Sequence, residues 1–434
     1  MAPWRVSGCA GLAVLLVAGC SAASRPSPDA GRLRGAQLTV LAAWTGTEQA
    51  RFSRVLRVFS DRTGVTVHYV SAHGRVPSVL DARIADGTVP DVALLPQPGL
   101  LRRYAKAGRL VPLAADTEQL VQHDYAPLWR SLASYNGQDY GVWFKAANKS
   151  LVWYDIALFE RTGLAPPSDL DGLGRVADVL QQQGIAAFAV AGADAWTLTD
   201  WFENLYLALA GPARYDDLTE HRLSWTDATV TRTLQEMAAL LSPPHLLGGV
   251  PGALALRFED SVARAFGRPP GAAMLAEGDF TASVVTSRTP AGLGVDVDVF
   301  PFPAGTRGRA TVVAGGDVAV QLTRTPAAAA LLRFLATPAA AAVWAAAGGF
   351  VSPNLDLDLS VYPTELARSI ARTLTEATDG LRFDLSDLQP ADFGAQPDAG
   401  LQAELRRFLV TRDIAATQRR LEAAARTAYA RQGR

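Results

Sequence analysis

The stretch "AQLTVLAAWTGTEQARFSRVLRVFSDRTGVTVHYVSA", residues 36–72, decides the fold. It opens with a short apolar run of strand type at 36–44. From 47 to 64 the apolar residues Phe52, Val55, Leu56 and Phe59 recur at helical spacing, and Gly64 is a natural stop. A second apolar strand follows at 65–72. Downstream, "VPSVLDARIADGTVP" (76–90) reads as another helix and "DVALLP" (91–96) as a third strand. Strands that alternate with helices require crossover connections and a mostly parallel sheet. In such sheets ligands gather beyond the carboxyl ends of the strands. Those ends here are Trp44-Thr45-Gly46, Ser71-Ala72-His73 and Leu95-Pro96-Gln97.

The whole chain has 434 residues, enough for two domains with separate cores. Its formal net charge of −1 carries no basic field for nucleic acid. At the N-terminus, Arg5 precedes an apolar run from Gly8 to Gly19. That run is shorter than the ~20 residues needed to span a bilayer, so it reads as a signal peptide over 1–19. Its ending, "VAGC", resembles a bacterial lipobox, which implies that Cys20 is acylated and tethers the protein to the outer face of the membrane. Residues 20–36 then read as a flexible tether. Cys9 leaves with the signal and Cys20 is capped, so neither a disulfide nor a free thiol is expected.

The middle of the chain is helix-rich. "SDLDGLGRVADVLQQQG" (168–184) begins at a candidate cap, Ser168, and "IAAFAVAG" (185–192) reads as a buried strand. "LTDWFENLYLALAG" (198–211) is expected to be helical with Thr199 as cap, and "DATVTRTLQEMAALL" (227–241) forms another helix. Strands return at 297–304 and 310–322. Two Ala-rich helices follow, each opened by Thr-Pro in cap order.

Apart from Lys106, the only lysines are Lys145 and Lys149 in "VWFKAANKSLVWYD" (142–155), in a chain otherwise rich in arginine. An ammonium is a three-donor point charge that can reach a hydroxyl oxygen, whereas the planar fork of Arg fits carboxylate or phosphate. Lys145 is therefore the expected ligand-binding lysine, and Lys149 is expected to pair with a neighbouring carboxylate.

The order of "LTVLAAWTGTE", "VPDVALLPQPG", "YGVWFKAANKSLVWYD", "DVDVFPFPA", "AGGDVAVQL" and "GGFVSPN" resembles the extracellular solute-binding proteins of ABC importers, carbohydrate-binding type. The match runs from Gln37 to Leu388. "FKAANKSLVWYD", "TDWFENLYLALAGPARYDDL", "WTDATV", "PPGAAMLAEGDF" and "LRFDLSDLQP" are similar to the α-glucoside-binding members. The resemblance implies a two-lobed α/β fold, each lobe a mostly parallel sheet flanked by helices, with hinge crossings between lobes. Lobe one would take residues 37–146 and 314–350, and lobe two residues 147–313 and 351–434. It also implies a saccharide ligand, ABC permease subunits as partners, no cofactor, no metal and no catalysis.

A neutral sugar needs planar polar side chains for its hydroxyls and a flat aromatic for its C–H face. The candidates by position are Trp44, Glu48, Asp91, Gln97, Lys145, Glu277, Asp279, Asp317, Phe350 and Arg382, with Gly315 and Gly316 allowing close approach. Within "ADAWTLTDWFEN" (193–204), Trp196 and Asp200 are favoured to face the cleft over Trp201, which could equally be core. Glu48 is also a first-turn acid suited to the helix dipole. Arg382 has Asp384 and Asp387 as alternative ion-pair partners. Small Ala272 and Ala273, and the tail after Gln389, depart from the group's pattern. A cell-surface glycoside hydrolase would show similar residues and needs two carboxyls at set separation. A non-catalytic envelope protein that binds another macromolecule is the third reading. No hydrolase, metalloprotease or ATPase motif occurs, and the five histidines lack metal-ligand spacing.

Overall fold

The computed structural model describes Met1 and residues 30–73, 75–305, 311–377 and 380–431. The expected signal segment and Cys20 lie outside the described residues.

Strand β1 (Gln37–Ala42) pairs in parallel with β2 (Thr66–Ser71) and with β3 (Val92–Leu95). The helix between β1 and β2, Gly46–Thr63, buries Phe52, Val55, Leu56 and Phe59 and ends at Gly64 with φ 74. A left-handed residue there costs glycine nothing. After a small hairpin of β4 (Ser134–Tyr135) and β5 (Gln138–Asp139) comes β6 (Gly141–Asn148), buried along its whole length. Lys149-Ser150 then carries the chain into β7 (Leu151–Asp155). This strand is the centre of a second sheet, flanked by β8 (Met274–Ala276) and β9 (Val297–Pro301).

Strand β10 (Val312–Gln321) ties the molecule together. One edge runs antiparallel to β6. On the other edge its first residues meet β11 (Leu381–Phe383) in parallel and its last residues meet β3 antiparallel. The α/β architecture is therefore as expected, but the second sheet corrects one detail. All its strand pairs are antiparallel, and 185–192 is not a strand: Phe188 makes only isolated parallel bridges to Leu246 and Met274. A short apolar run is compatible with buried irregular chain as well as strand, and periodicity cannot separate them.

Two apolar clusters form the core. One gathers Phe52, Phe144, Trp344 and Phe350 around the first sheet. The other gathers Phe188, Trp201, Phe202, Tyr206 and Trp225. The expected lobe boundaries at 146 and 313 fall inside β6 and β10. Apolar packing does not follow them throughout, because Val262, Phe266, Val285 and Ile370 join the first cluster. The divergent tail is core material: Leu401, Leu405, Phe408, Leu421 and Tyr429 of its two long helices lie in the second cluster. Two expected caps moved. Asp169 rather than Ser168 caps the helix Leu170–Gln182, and the next helix starts at Trp196 rather than 198, so Thr199 is not its cap. The Thr-Pro caps at Thr325 and Thr337 are as expected. Among the described residues, no single helix is long and apolar enough to cross a membrane.

Candidate functional site

The crossing from β6 to β7 places Lys145 and Lys149 four residues apart on one run of chain. Opposite it in β10 stand Gly315 and Gly316. A Cβ on Gly316 would lie 2.4 Å from the Lys145 carbonyl oxygen, and one on Gly315 would meet the Lys149 side chain at 3.4 Å. Both glycines thus let two strands and a lysine stem approach where a side chain would intrude. Asp317, next along, sits across from Lys145 at a bulge.

Lys145 is buried. Its Nζ donates to Glu48 Oε1 at 2.5 Å. It also lies 5.6 Å from the Trp44 ring and 5.4 Å from the Trp344 ring, an electrostatically favourable distance. Burial lowers the ammonium's pKa, but Glu48 and Asp317 more than offset this, so the group is held charged. Burial pushes Asp279 up to about 6, with Lys145 pulling the other way. The same two influences, in the same order, bring Asp317 to about 6. Asp279 is further fixed by the backbone N–H of Asn148 at 2.8 Å.

Lys149 sits in a denser charge. Its Nζ donates to Asp200 at 2.9 Å and to Asp384. Asp387, Glu203 and Glu277 also act on it electrostatically. Desolvation opposes its charge, yet the carboxylates win and raise its pKa well above the ordinary lysine value. Asp384 is likewise penalised by burial but held below the ordinary range by Lys149. Burial, with the charge of Asp384 adding to it, pushes Asp200 up to about 7 although Lys149 pulls the other way. Glu203 accepts from the backbone N–H groups of Leu385 and Ser386 and from the Tyr215 hydroxyl. Asp200, Glu203 and Asp384 come close enough to surround an ion. The Lys149 ammonium already supplies the positive charge there.

Trp196 closes this second group. Its ring lies 5.6 Å from Lys149 Nζ, tilted against Phe258 and edge-on to Phe280. It is half-buried, so part of the indole remains reachable. Gln97 enters from the end of β3, donating to Asp387 at 2.7 Å.

Four expected residues lie elsewhere or are used otherwise. Asp91 is at the amino end of β3, opposite to Trp44, and accepts from the Thr39 backbone and the Thr323 hydroxyl. It fastens strands together, which the sequence position alone does not reveal. Trp201 is core, edge-on to Phe188 and Phe302. Phe350 is also core, stacked on Trp344 at 5.1 Å. Arg382 pairs with Asp216 at 2.7 Å rather than with Asp384 or Asp387. Trp44 itself is 5% exposed, its ring packed edge-on against Phe52 and Trp344. Glu203, Asp384, Asp387 and Trp344 also stand around the two lysines, although their sequence positions do not single them out as candidates. The repeated i, i+3 acids, Asp200/Glu203 and Asp384/Asp387, were the available signal.

Two sheets joined by charged, glycine-lined crossings are the architecture of a two-lobed binding protein. Residues 43–342 match the bacterial extracellular solute-binding protein family, and the chain belongs to it. It is accordingly a non-catalytic, extracytoplasmic protein, which sets the hydrolase reading aside. It is 33% identical to the alpha-glucosides-binding periplasmic protein AglE of Rhizobium meliloti, over 84% of this chain and 82% of that one. It is 32% identical to the osmoprotective compounds-binding protein GgtB of Synechocystis sp., over 82% of this chain and 86% of that one. Among solved structures, the bacterial solute receptor AcbH, with a stated preference for β-D-galactopyranose, shares the fold. Its TM-score is 0.77 at 19% identity, covering 90% of this chain and 99% of the receptor.

Proposed function

We propose that this protein is the substrate-binding subunit of an ABC importer, capturing an α-glucoside or related saccharide between two lobes and delivering it to the permease. The observation that carries the reading is the Lys149 group: a cation bonded to Asp200 and Asp384 beside the half-buried ring of Trp196, at the point where the chain leaves one sheet for the other. Forked acids and a flat ring are what a hydroxyl-rich ligand requires. Relatives named for α-glucosides and for osmoprotective compounds support the same class. Lobe one comprises 37–146 and 314–350, and lobe two 147–313 and 351–434; closure about their crossings traps the ligand. Lys145, Glu48, Asp279, Asp317 and Gln97 complete the pocket wall. Acylated Cys20 holds the protein at the membrane, so Cys20→Ala should release it into the medium.

A thermal-shift screen over mono- and disaccharides tests the function. Ligand at 100 times its dissociation constant adds about 2.7 kcal/mol of stability. Chromatography of the recovered ligand should return it intact. No stabilisation by any α-glucoside would remove the proposed class.

A further inference from the structure

Asp200 and Glu277 form an unusual pair. Both are almost fully buried, at 2% and 3% exposure. Asp200 Oδ2 and Glu277 Oε2 receive no hydrogen bond from any N–H or O–H among the described residues. The charge of Asp200 acts on Glu277 and disfavours a second carboxylate beside it. Two ionised carboxylates are acceptors only, so this pair can bond to each other only if one of them carries a proton. Leaving both charged and bare in a buried position costs far more than neutralising one.

The surroundings say which. Lys149, from the β6–β7 crossing, is bonded directly to Asp200, which favours its anion. Glu203, on the same helix as Asp200, is supplied with two backbone N–H groups and the Tyr215 hydroxyl. Asp384 has the same lysine and the Ser386 hydroxyl, and Asp387 has Gln97. Glu277 Oε2 has none of these donors.

We propose that Glu277 is a neutral acid donating its proton to Asp200, and that binding of an uncharged solute is linked to retention of that proton. The link to solute rests on the proposed function above; the proton does not. An uncharged ligand brings no cation to replace the proton, and closure removes water from the pair. Complexed protein therefore holds the proton more tightly than free protein. The sign follows. Affinity is constant while the free pair is protonated, and falls as pH rises through the pair's titration in the free protein, by at most about tenfold per pH unit. Burial, the largest influence, followed by the charge of Asp200, raises Glu277 well above the ordinary glutamate range.

Infrared spectroscopy of ligand-free protein at about pH 7 tests the proton directly, because exposed carboxylates are ionised there. A neutral-acid carbonyl band should be present, and Glu277→Gln should weaken it by one carboxyl while Glu160→Gln leaves it unchanged. Absence of any such band in the wild type overturns the proposal without recourse to a variant. A band unchanged in a folded Glu277→Gln overturns it too. Titration calorimetry with maltose then reads the linkage: wild-type affinity should fall with rising pH, whereas Glu277→Gln, which keeps a donor at all pH values, should show a flat profile. A pH-independent wild-type affinity sinks the linkage. If no α-glucoside binds, the sugar reading fails while the infrared result still decides the proton.

Discussion

The two lysines of one crossing make the most instructive comparison in the molecule. Lys145 is enclosed by two indole rings and has one carboxylate bonded to it, Glu48, whose side chain is 31% exposed. Lys149 has two carboxylates bonded to it, both only 2% exposed. One ammonium is buried mainly by aromatic surface, the other mainly by charge. Removing the first leaves its bonded acid open to water, and Asp279 and Asp317, which are not bonded to it, lose only a nearby charge. Removing the second leaves an acid nest with no counter-charge.

The largest effect is therefore expected at Lys149. Lys149→Met should cost roughly 3–5 kcal/mol of stability, because it strands buried carboxylates. Denaturant unfolding checks this, and a loss no greater than that of Lys145→Met would break the comparison. Gly316→Ala comes next. Its methyl group would fall on the Lys145 carbonyl, so β6 and β10 must separate, at about 1–3 kcal/mol. Gly315→Ala meets the flexible Lys149 stem and, at ordinary contact distance, the Ala147 methyl, and should cost less; equal losses would mean that the strands tolerate the intrusion. Lys145→Met should lower stability by only about 1–2 kcal/mol, the scale of a charged hydrogen bond to a partly solvated partner, while weakening sugar binding in calorimetry. Unaltered affinity would take Lys145 out of the pocket. Smallest of all, Arg382→Gln removes a half-exposed pair with Asp216 and should change stability by less than about 1 kcal/mol. A clear loss of affinity there would return Arg382 to the site.

Much of the frame was legible from local pattern. The alternation at 36–96, the stop at Gly64 and the Thr-Pro caps are written in spacing and in residues with narrow backbone preferences. Side-chain roles were harder. Trp44, Trp201 and Phe350 all follow the rule that a binding-protein aromatic stacks on sugar, yet each is packed on other rings. An indole suits a core as well as a cleft, and only neighbours distant in sequence distinguish the two. Asp91 illustrates the same limit for a carboxylate, since its partners Thr39 and Thr323 come from two other segments. Asp384 and Asp387 were visible as ordinary ion-pair partners for Arg382, and the structure turned them toward Lys149 and Gln97 instead.

By itself the sequence determined the strand-and-helix order of 36–96, the stop at Gly64 and the Thr-Pro caps, and the order of its landmark stretches carried the resemblance to a family. The first of these depend on periodicity and backbone freedom, which act over a few residues. The tertiary structure decided which carboxylates surround which lysine and which rings are left partly open. Glu48, Asp200, Glu277 and Asp384 reach the crossing from four separate segments. Burial and Coulomb energies depend on distances through space, and chain separation does not encode them.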